Sequence, residues 1–284
     1  MNLVSSAEEK EYVEMYNDGQ STVKIGDKFN RAPGTVKQHL NKLGIVLRSN
    51  RENSKKYYVE NDHYFDVIDS EDKAYLLGWM YSDGYIKKEQ SPNSDYIAER
   101  LGLAINDGDV QILELLRDKL KTNNQIYFYD TTSGYSADTR YCRIIISNNN
   151  LVDGLMKHGV VYNKSNIIKA PIDIPYDMRR HFIRGYMDGD GSISISRGKN
   201  ESLEYAIRFI GTPDVIQWIT DYFMENNLIH RQTKYDRRHP KDKVIQSRWG
   251  GNNQVKGILD HLYNDSTYYL KRKHDRYLQL CKAK

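Results

Sequence analysis

The chain has 284 residues, 39% of them hydrophobic and 28% charged, an ordinary balance for a globular protein with room for about two domains. No apolar run approaches the ~20 residues of a membrane span, and MNLVSSAEEKEY lacks a secretory layout. A cytoplasmic, nuclear or organellar protein that is not secreted is expected. Cys142 and Cys281 make neither a disulfide framework nor a metal knuckle. The net charge of +4 is modest, but bases cluster in residues 24–56, 231–243 and 271–284. Three such clusters favour a phosphate-bearing partner.

In chain order, Glu8–Tyr16 is helical in character, and the run from Ser21 to Ile45 resembles a helix-turn-helix. Val23, Ile25 and Phe29 are the expected core positions of a first short helix and Asn30–Ala32 the turn. Pro33 opens a second helix ending near Gly44, with Val36 and Leu40 inward. Thr35, Lys37, Gln38 and His39 are its candidates for groove contact. Residues 49–64 read as a basic linker, in which Lys55 and Lys56, with Arg48 and Arg51, could lie along phosphates. The expected domains are a helix-turn-helix unit at 1–48, this linker, and two repeats at 65–170 and 171–284.

The repeats are visible as self-similarity. LLGWMYSDGYI (Leu76–Ile86) matches IRGYMDGDGSI (Ile183–Ile193), so that Asp83 and Asp190 stand 107 residues apart. Ile105–Leu113 matches Ile210–Trp218 through the Asp-Val pairs at 109/110 and 214/215. Asn149, Asn150, Val152, Gly154 and His158 recur 103 residues later. Each half reads as an apolar helix stopped by Gly, short strands, an amphipathic helix (Val110–Lys121, Val215–Asn226), further strands and a closing helix. The strands are expected at Tyr85–Lys87, Tyr96–Ile105, Gln125–Tyr129 and Tyr141–Ser147, then at Ser192–Ser196, Tyr205–Ile210, Gln232–Tyr235 and Val244–Trp249. The fold class is α+β: a pseudo-symmetric tandem αββαββα core behind a small all-α domain.

Within each motif helix, small residues lie four apart, Gly78 with Ser82 and Gly185 with Gly189, which lets two helix backbones approach closely. Paired in that way, the helices would bring Asp83 and Asp190 out side by side at their C-terminal ends. Like charges there, against two negative dipole ends, call for a cation, and Mg²⁺ suits one or two carboxylates completed by water and phosphate.

LLGWMYSDG (76–84) and IRGYMDGDG (183–191) resemble the signature of the LAGLIDADG homing endonucleases, and the likeness extends over roughly residues 65–280. It implies a monomeric, site-specific, Mg²⁺-dependent endonuclease of double-stranded DNA. Asp83 and Asp190 would bind metal, helped by the carbonyls of Ser82 and Gly189. Lys164 and either Lys271 or Lys273 match the family's lysine near the scissile phosphate, with plain phosphate anchoring as their other reading. Asp107 and Thr212 match a water-positioning residue, helix capping being the simpler account. The sixth motif position differs, Tyr81 against Asp188. Strand alternation nominates Lys87, Arg100, Arg143, Arg197, Arg208 and Arg248 for base contact. A non-cleaving DNA-binding regulator of this fold, and a maturase acting on intron RNA, stay open as alternatives.

Overall fold

The computed structural model describes residues 4–47, 57–90, 97–131, 139–198, 202–230 and 243–282. Arg48, Arg51, Lys55 and Lys56, and the strand expected at Gln232–Tyr235, lie outside the described residues. Two compact units are present, Met1–Tyr57 and Tyr58–Lys284.

The first unit holds three helices, α1 (Ser6–Asn17), α2 (Thr22–Phe29) and α3 (Pro33–Lys42). Ser5 and Ser21 cap the first two, each side-chain oxygen accepting the backbone N–H three residues on, and Pro33 opens the third. Asn30 ends α2 in the left-handed region at φ 51°. Tyr12, Tyr16, Ile25, Val36 and Leu40 form the core, with Phe29 packed against it. Val23 departs from expectation and is 53% exposed. Ile25 and Phe29 share one face by their spacing of four, and Val23, two residues before Ile25, falls on the opposite side. Three acids of α1 hold the other helices and the turn between them: Glu8 pairs with Arg31 of the turn, Glu9 with His39 and Glu11 with Lys28.

In the second unit, a buried helix α4 (Glu71–Ser82) runs into strand β1 (Gly84–Gln90), paired antiparallel to β2 (Ile97–Asn106). A single turn at Asp107–Asp109 leads to α5 (Gln111–Lys119), β3 (Tyr127–Asp130), β4 (Arg140–Ser147) and α6 (Asn149–Lys157). The pattern recurs as α7 (Tyr176–Asp190), β5 (Gly191–Arg197), β6 (Leu203–Gly211), α8 (Pro213–Glu225), β7 (Ile245–Gly250) and α9 (Asn252–Tyr263). A last helix, α10 (Lys271–Lys282), has no counterpart in the sequence reading, because its low apolar content resembles a basic tail. The sheets are antiparallel, ordered β1-β2-β4-β3 and β5-β6-β7.

One continuous core joins the two halves. Alternation along the strands turns Ile86, Leu101, Leu103, Ile144 and Ile146 of the first sheet, and Ile193, Ile207, Phe209 and Trp249 of the second, onto the helices. At the centre, α4 and α7 cross with backbones in direct contact. A Cβ on Gly78 would meet the Phe182 carbonyl, one on Gly185 the Tyr75 carbonyl, and one on Gly189 the Ser82 side chain. Backbone cannot retreat from backbone, so Gly78 and Gly185 require glycine for space rather than for conformation, while Gly189 makes room for the Ser82 side chain.

Gly185→Ala is therefore expected to lower the unfolding free energy by about 3 kcal/mol, measured by urea denaturation; a loss under about 1 kcal/mol would mean that the helices can part at little cost.

Candidate active site and nucleic-acid interface

The crossing sets the site. Asp83 and Asp190 end α4 and α7, both reach solvent, and a Cβ on Gly189 would lie 2.6 Å from Asp83 Oδ2. Protein atoms crowd one side of each carboxyl, and this partial desolvation raises both pKa values. Asp190 is pushed up to about 6, first by this desolvation and then by repulsion from Asp83, against the pull of Lys164 and Lys273. Among the described residues no cluster of three or more His, Cys, Asp or Glu exists. Two open, mutually repelling carboxylates on negative dipole ends fit a hard divalent cation that completes its shell with water and phosphate oxygens.

The two lysines occupy equivalent and unexpected places. Lys164, in the single turn after α6, donates to the carbonyls of Tyr81 and Ser82. Lys273, in the first turn of α10, donates to Met187 and Asp188 at 2.6 Å, Gly189 at 3.2 Å and Gly191 at 2.6 Å. Each buried ammonium thus caps the C-terminal end of its own motif helix, satisfying carbonyls the helix leaves over and neutralising its dipole. Burial lowers both pKa values, that of Lys273 to about 8. The Ser82 and Gly189 carbonyls expected to face a metal already accept from these lysines, so only their second lone pairs remain for one. Lys271 does not reach the motif: it is exposed and pairs with Asp275 at 2.8 Å along its own helix.

Residues to which the sequence reading gave no structural role fix the lysine-bearing straps. Asp188, fully buried, accepts from Tyr75 Oη at 2.8 Å, Tyr263 Oη at 2.6 Å and the Leu270 N–H at 2.7 Å, pinning the start of α10. Tyr81, its counterpart, donates to the His158 carbonyl instead. Arg184, also fully buried, donates to Glu71 and to the Leu262 and Tyr268 carbonyls. Its remaining bond goes to His181 Nδ1, a ring kept neutral because burial, then the Arg184 charge, pulls its pKa down to about 4. Arg272 grips Asp109 of the first repeat through Nε and Nη2 at 2.9–3.2 Å, and Lys169 reaches Asp214 of the second. The repeated Asp-Val pairs were the available signal: each of these acids takes a base from the other repeat's strap.

Capping does not explain Asp107 or Thr212. Asn106 caps the turn, and the buried Thr212 hydroxyl donates to the Ile168 carbonyl at 2.6 Å, holding the first strap. Of the strand candidates, Lys87, Arg100, Arg143, Arg208 and Arg248 alternate onto the faces turned away from the core. Arg197 does not: it shares the parity of Ile193, so its side chain starts from the other face. Glu89 engages both Lys87 and Arg100, and Arg143 stacks over the Tyr129 ring at 5.2 Å. In the first unit, Lys37 and Gln38 are exposed and Thr35 half-buried on α3, while His39 turns inward to Glu9.

No protein-family model and no curated protein matches this sequence. Solved structures match it with probability 1.00. They include the LAGLIDADG homing endonuclease I-GzeII in complex with its DNA target, at 9% identity over 74% of this chain and 88% of that one, TM-score 0.52. I-LtrWI bound to target DNA matches at 14% identity over 78% and 91%, TM-score 0.50. The meganuclease I-AabMI bound to uncleaved DNA matches at 12% over 73% and 88%, TM-score 0.50. The second unit of this chain, with its two motif helices and two sheets, has the single-chain LAGLIDADG homing-endonuclease fold. No helix among the described residues is long and apolar enough to cross a membrane.

The raised Asp190 pKa has a definite sign. Between pH 4 and 6 the unfolded chain ionises this carboxyl while the folded one resists, so the metal-free protein loses stability as pH rises through that window. Asp190→Asn should raise the melting temperature at pH 7.5 in chelator, an effect of about 1 kcal/mol once solvent screening is allowed for, and do nothing at pH 3.5. An equal gain at both pH values would locate the effect elsewhere. Lys273→Met should instead destabilise by about 1–3 kcal/mol despite removing a buried charge, since it takes a donor from four carbonyls, of which that of Met187 keeps the Gly191 N–H; neutral or higher stability in chemical denaturation would refute the capping role.

Proposed function

We propose that the protein is a site-specific, Mg²⁺-dependent endonuclease of double-stranded DNA, of the homing type, with Asp83 and Asp190 at its centre. The observation that carries this reading is the pair of carboxylates emerging together where two motif helices cross, each followed directly by the first strand of a sheet whose outer face bears basic side chains. Asp83 and Asp190 would hold a divalent cation of the Mg²⁺ type, which when bound supplies water activation and charge neutralisation at the phosphate.

The chain's own residues do the rest. Lys164 and Lys273 keep the helix ends rigid and lend positive potential to a site that must receive a phosphate. Asp188, with Glu71 and Arg184 behind it, holds α10 and hence Lys273 in place. The open sheet faces lie against the major groove, where two strands' width of side chains can reach base edges. Lys37, Gln38 and Thr35 of α3 are the residues through which the first unit contacts a flanking stretch. Both motifs come from one chain, so a monomer supplies the whole site. Intron RNA is the alternative partner, and nothing in the site's geometry favours it over duplex DNA.

Incubating the full chain with a randomised duplex library in Mg²⁺ and sequencing the new ends tests the reading. Discrete ends with a constant short overhang are expected, with Asp83→Asn and Asp190→Asn each lowering cleavage by at least about 10²-fold while retaining DNA binding in Ca²⁺. Selective binding without any cut by the unaltered protein would refute the endonuclease and leave a DNA-binding regulator.

A further inference from the structure

The two sheets are built alike but differ at the row of side chains nearest the carboxylates. Gly84 opposes Leu103, which opposes Ile144; Gly191 opposes Phe209, which opposes Ser247. One residue further along, on the outer face, the first sheet presents Tyr85, Gly102 and Ile145, and the second presents Ser192, Arg208 and Arg248. These rows are equivalent by register, and each begins at the second residue after its aspartate.

Their chemistry is opposite. In the first row Gly102 has no side chain, and the Tyr85 ring lies where its Cβ would be. With Ile145 half-buried beside it, the row is a flat aromatic and aliphatic strip. In the second row Arg208 and Arg248 stand directly opposite one another across the ladder. Like charges in that arrangement repel, and among the described residues no carboxylate forms an ion pair with either. Arg208 Nε is buried with no hydrogen-bond partner, as is Arg100 Nε in the first sheet. The bases of the first sheet are spent differently, Lys87 and Arg100 on Glu89 and Arg143 on Tyr129. Two uncompensated guanidiniums side by side on a sheet face await acceptors from outside the chain.

We infer that the target is asymmetric, with guanines next to the cut in the half-site facing the second repeat, read by Arg208 and Arg248, and thymine methyls at the mirrored positions, met by Tyr85 and Ile145. The inference rests on the DNA reading proposed above. An arginine donates to guanine O6 and N7 together, the best match the major groove offers to its planar fork, while an apolar strip distinguishes thymine by its methyl group. No other base edge presents two acceptors to a side chain that only donates.

Selection of randomised duplexes by the full-length protein in Ca²⁺, followed by sequencing of the bound pool, tests this. The enriched site should carry guanine on either strand at neighbouring pairs in one half only, and A·T pairs at the mirrored positions. Arg208→Gln and Arg248→Gln should each flatten the preference at one guanine by roughly 10-fold or more, with Arg208→Lys keeping part of it and the other positions unchanged. Tyr85→Ser with Ile145→Ser should remove the thymine preference alone. Thermal unfolding of each variant controls for folding, and relief of the Arg–Arg repulsion should leave the glutamine variants at least as stable. An enriched site without those guanines, or guanines that survive the double glutamine variant, overturns the inference while leaving the DNA reading intact. If no duplex is enriched at all, the DNA reading itself falls and the inference with it.

Discussion

The second unit depends on backbone-to-backbone contact between α4 and α7. Gly78, Gly185 and Gly189 remove the side chains that would separate the helices, and the closeness this allows decides what lies at their ends. Helices kept apart by ordinary core residues pack 8–10 Å axis to axis, which would leave the two aspartates as unrelated C-terminal residues. With glycine at the crossing, they become a pair whose mutual repulsion is part of the fold. Core packing elsewhere pays for that local conflict.

That conflict also explains how cations are distributed. Two helix C-termini and two carboxylates converge on one place, and within the chain the compensation is a buried lysine for each helix end. The ammonium groups sit on carbonyls rather than on the carboxylates, which leaves the aspartates free while still lowering the local negative potential. Burying lysine is costly, and here several carbonyl acceptors offset the cost. Holding the lysines requires straps, and the straps require anchors: Asp188 for the second, Thr212 for the first, with Arg272 and Lys169 crossing to the other repeat.

The legible parts of this design were those with a period or a repeat. Glycine spacing of four announced the helix crossing, alternation announced the strands, and the doubled motif announced the aspartates. Strand ends and helix ends agreed with the structure to within a few residues because glycine, proline and asparagine mark them. Contacts between segments far apart in sequence left weaker traces. Lys273 could be named but not told apart from Lys271, since only the helical phase of α10 decides which of them faces α7. Asp109 and Asp214 stand out in the sequence as a recurring pair without their partners, because nothing local links them to Arg272 or Lys169. Apolarity alone groups Val23 with Ile25, and the helix puts them on opposite sides. Arg197 was misplaced for the same reason in a strand, by ignoring that its parity is that of Ile193.

The difference between Tyr81 and Asp188 bears on how freely the halves could be exchanged. Each occupies the same motif position, yet one is a phenol that donates a single bond and the other a carboxylate that collects three. A chimera made of two copies of the second repeat would carry Asp188 on both helices of the crossing without the Tyr75 hydroxyl that the first repeat supplies, and a chimera of the first would leave both copies of that hydroxyl without their acceptor. Neither half is self-complementary in its polar contacts. Within one polypeptide the two copies are complementary to each other rather than to themselves, and the two-fold arrangement holds in the backbone but not in the polar interior.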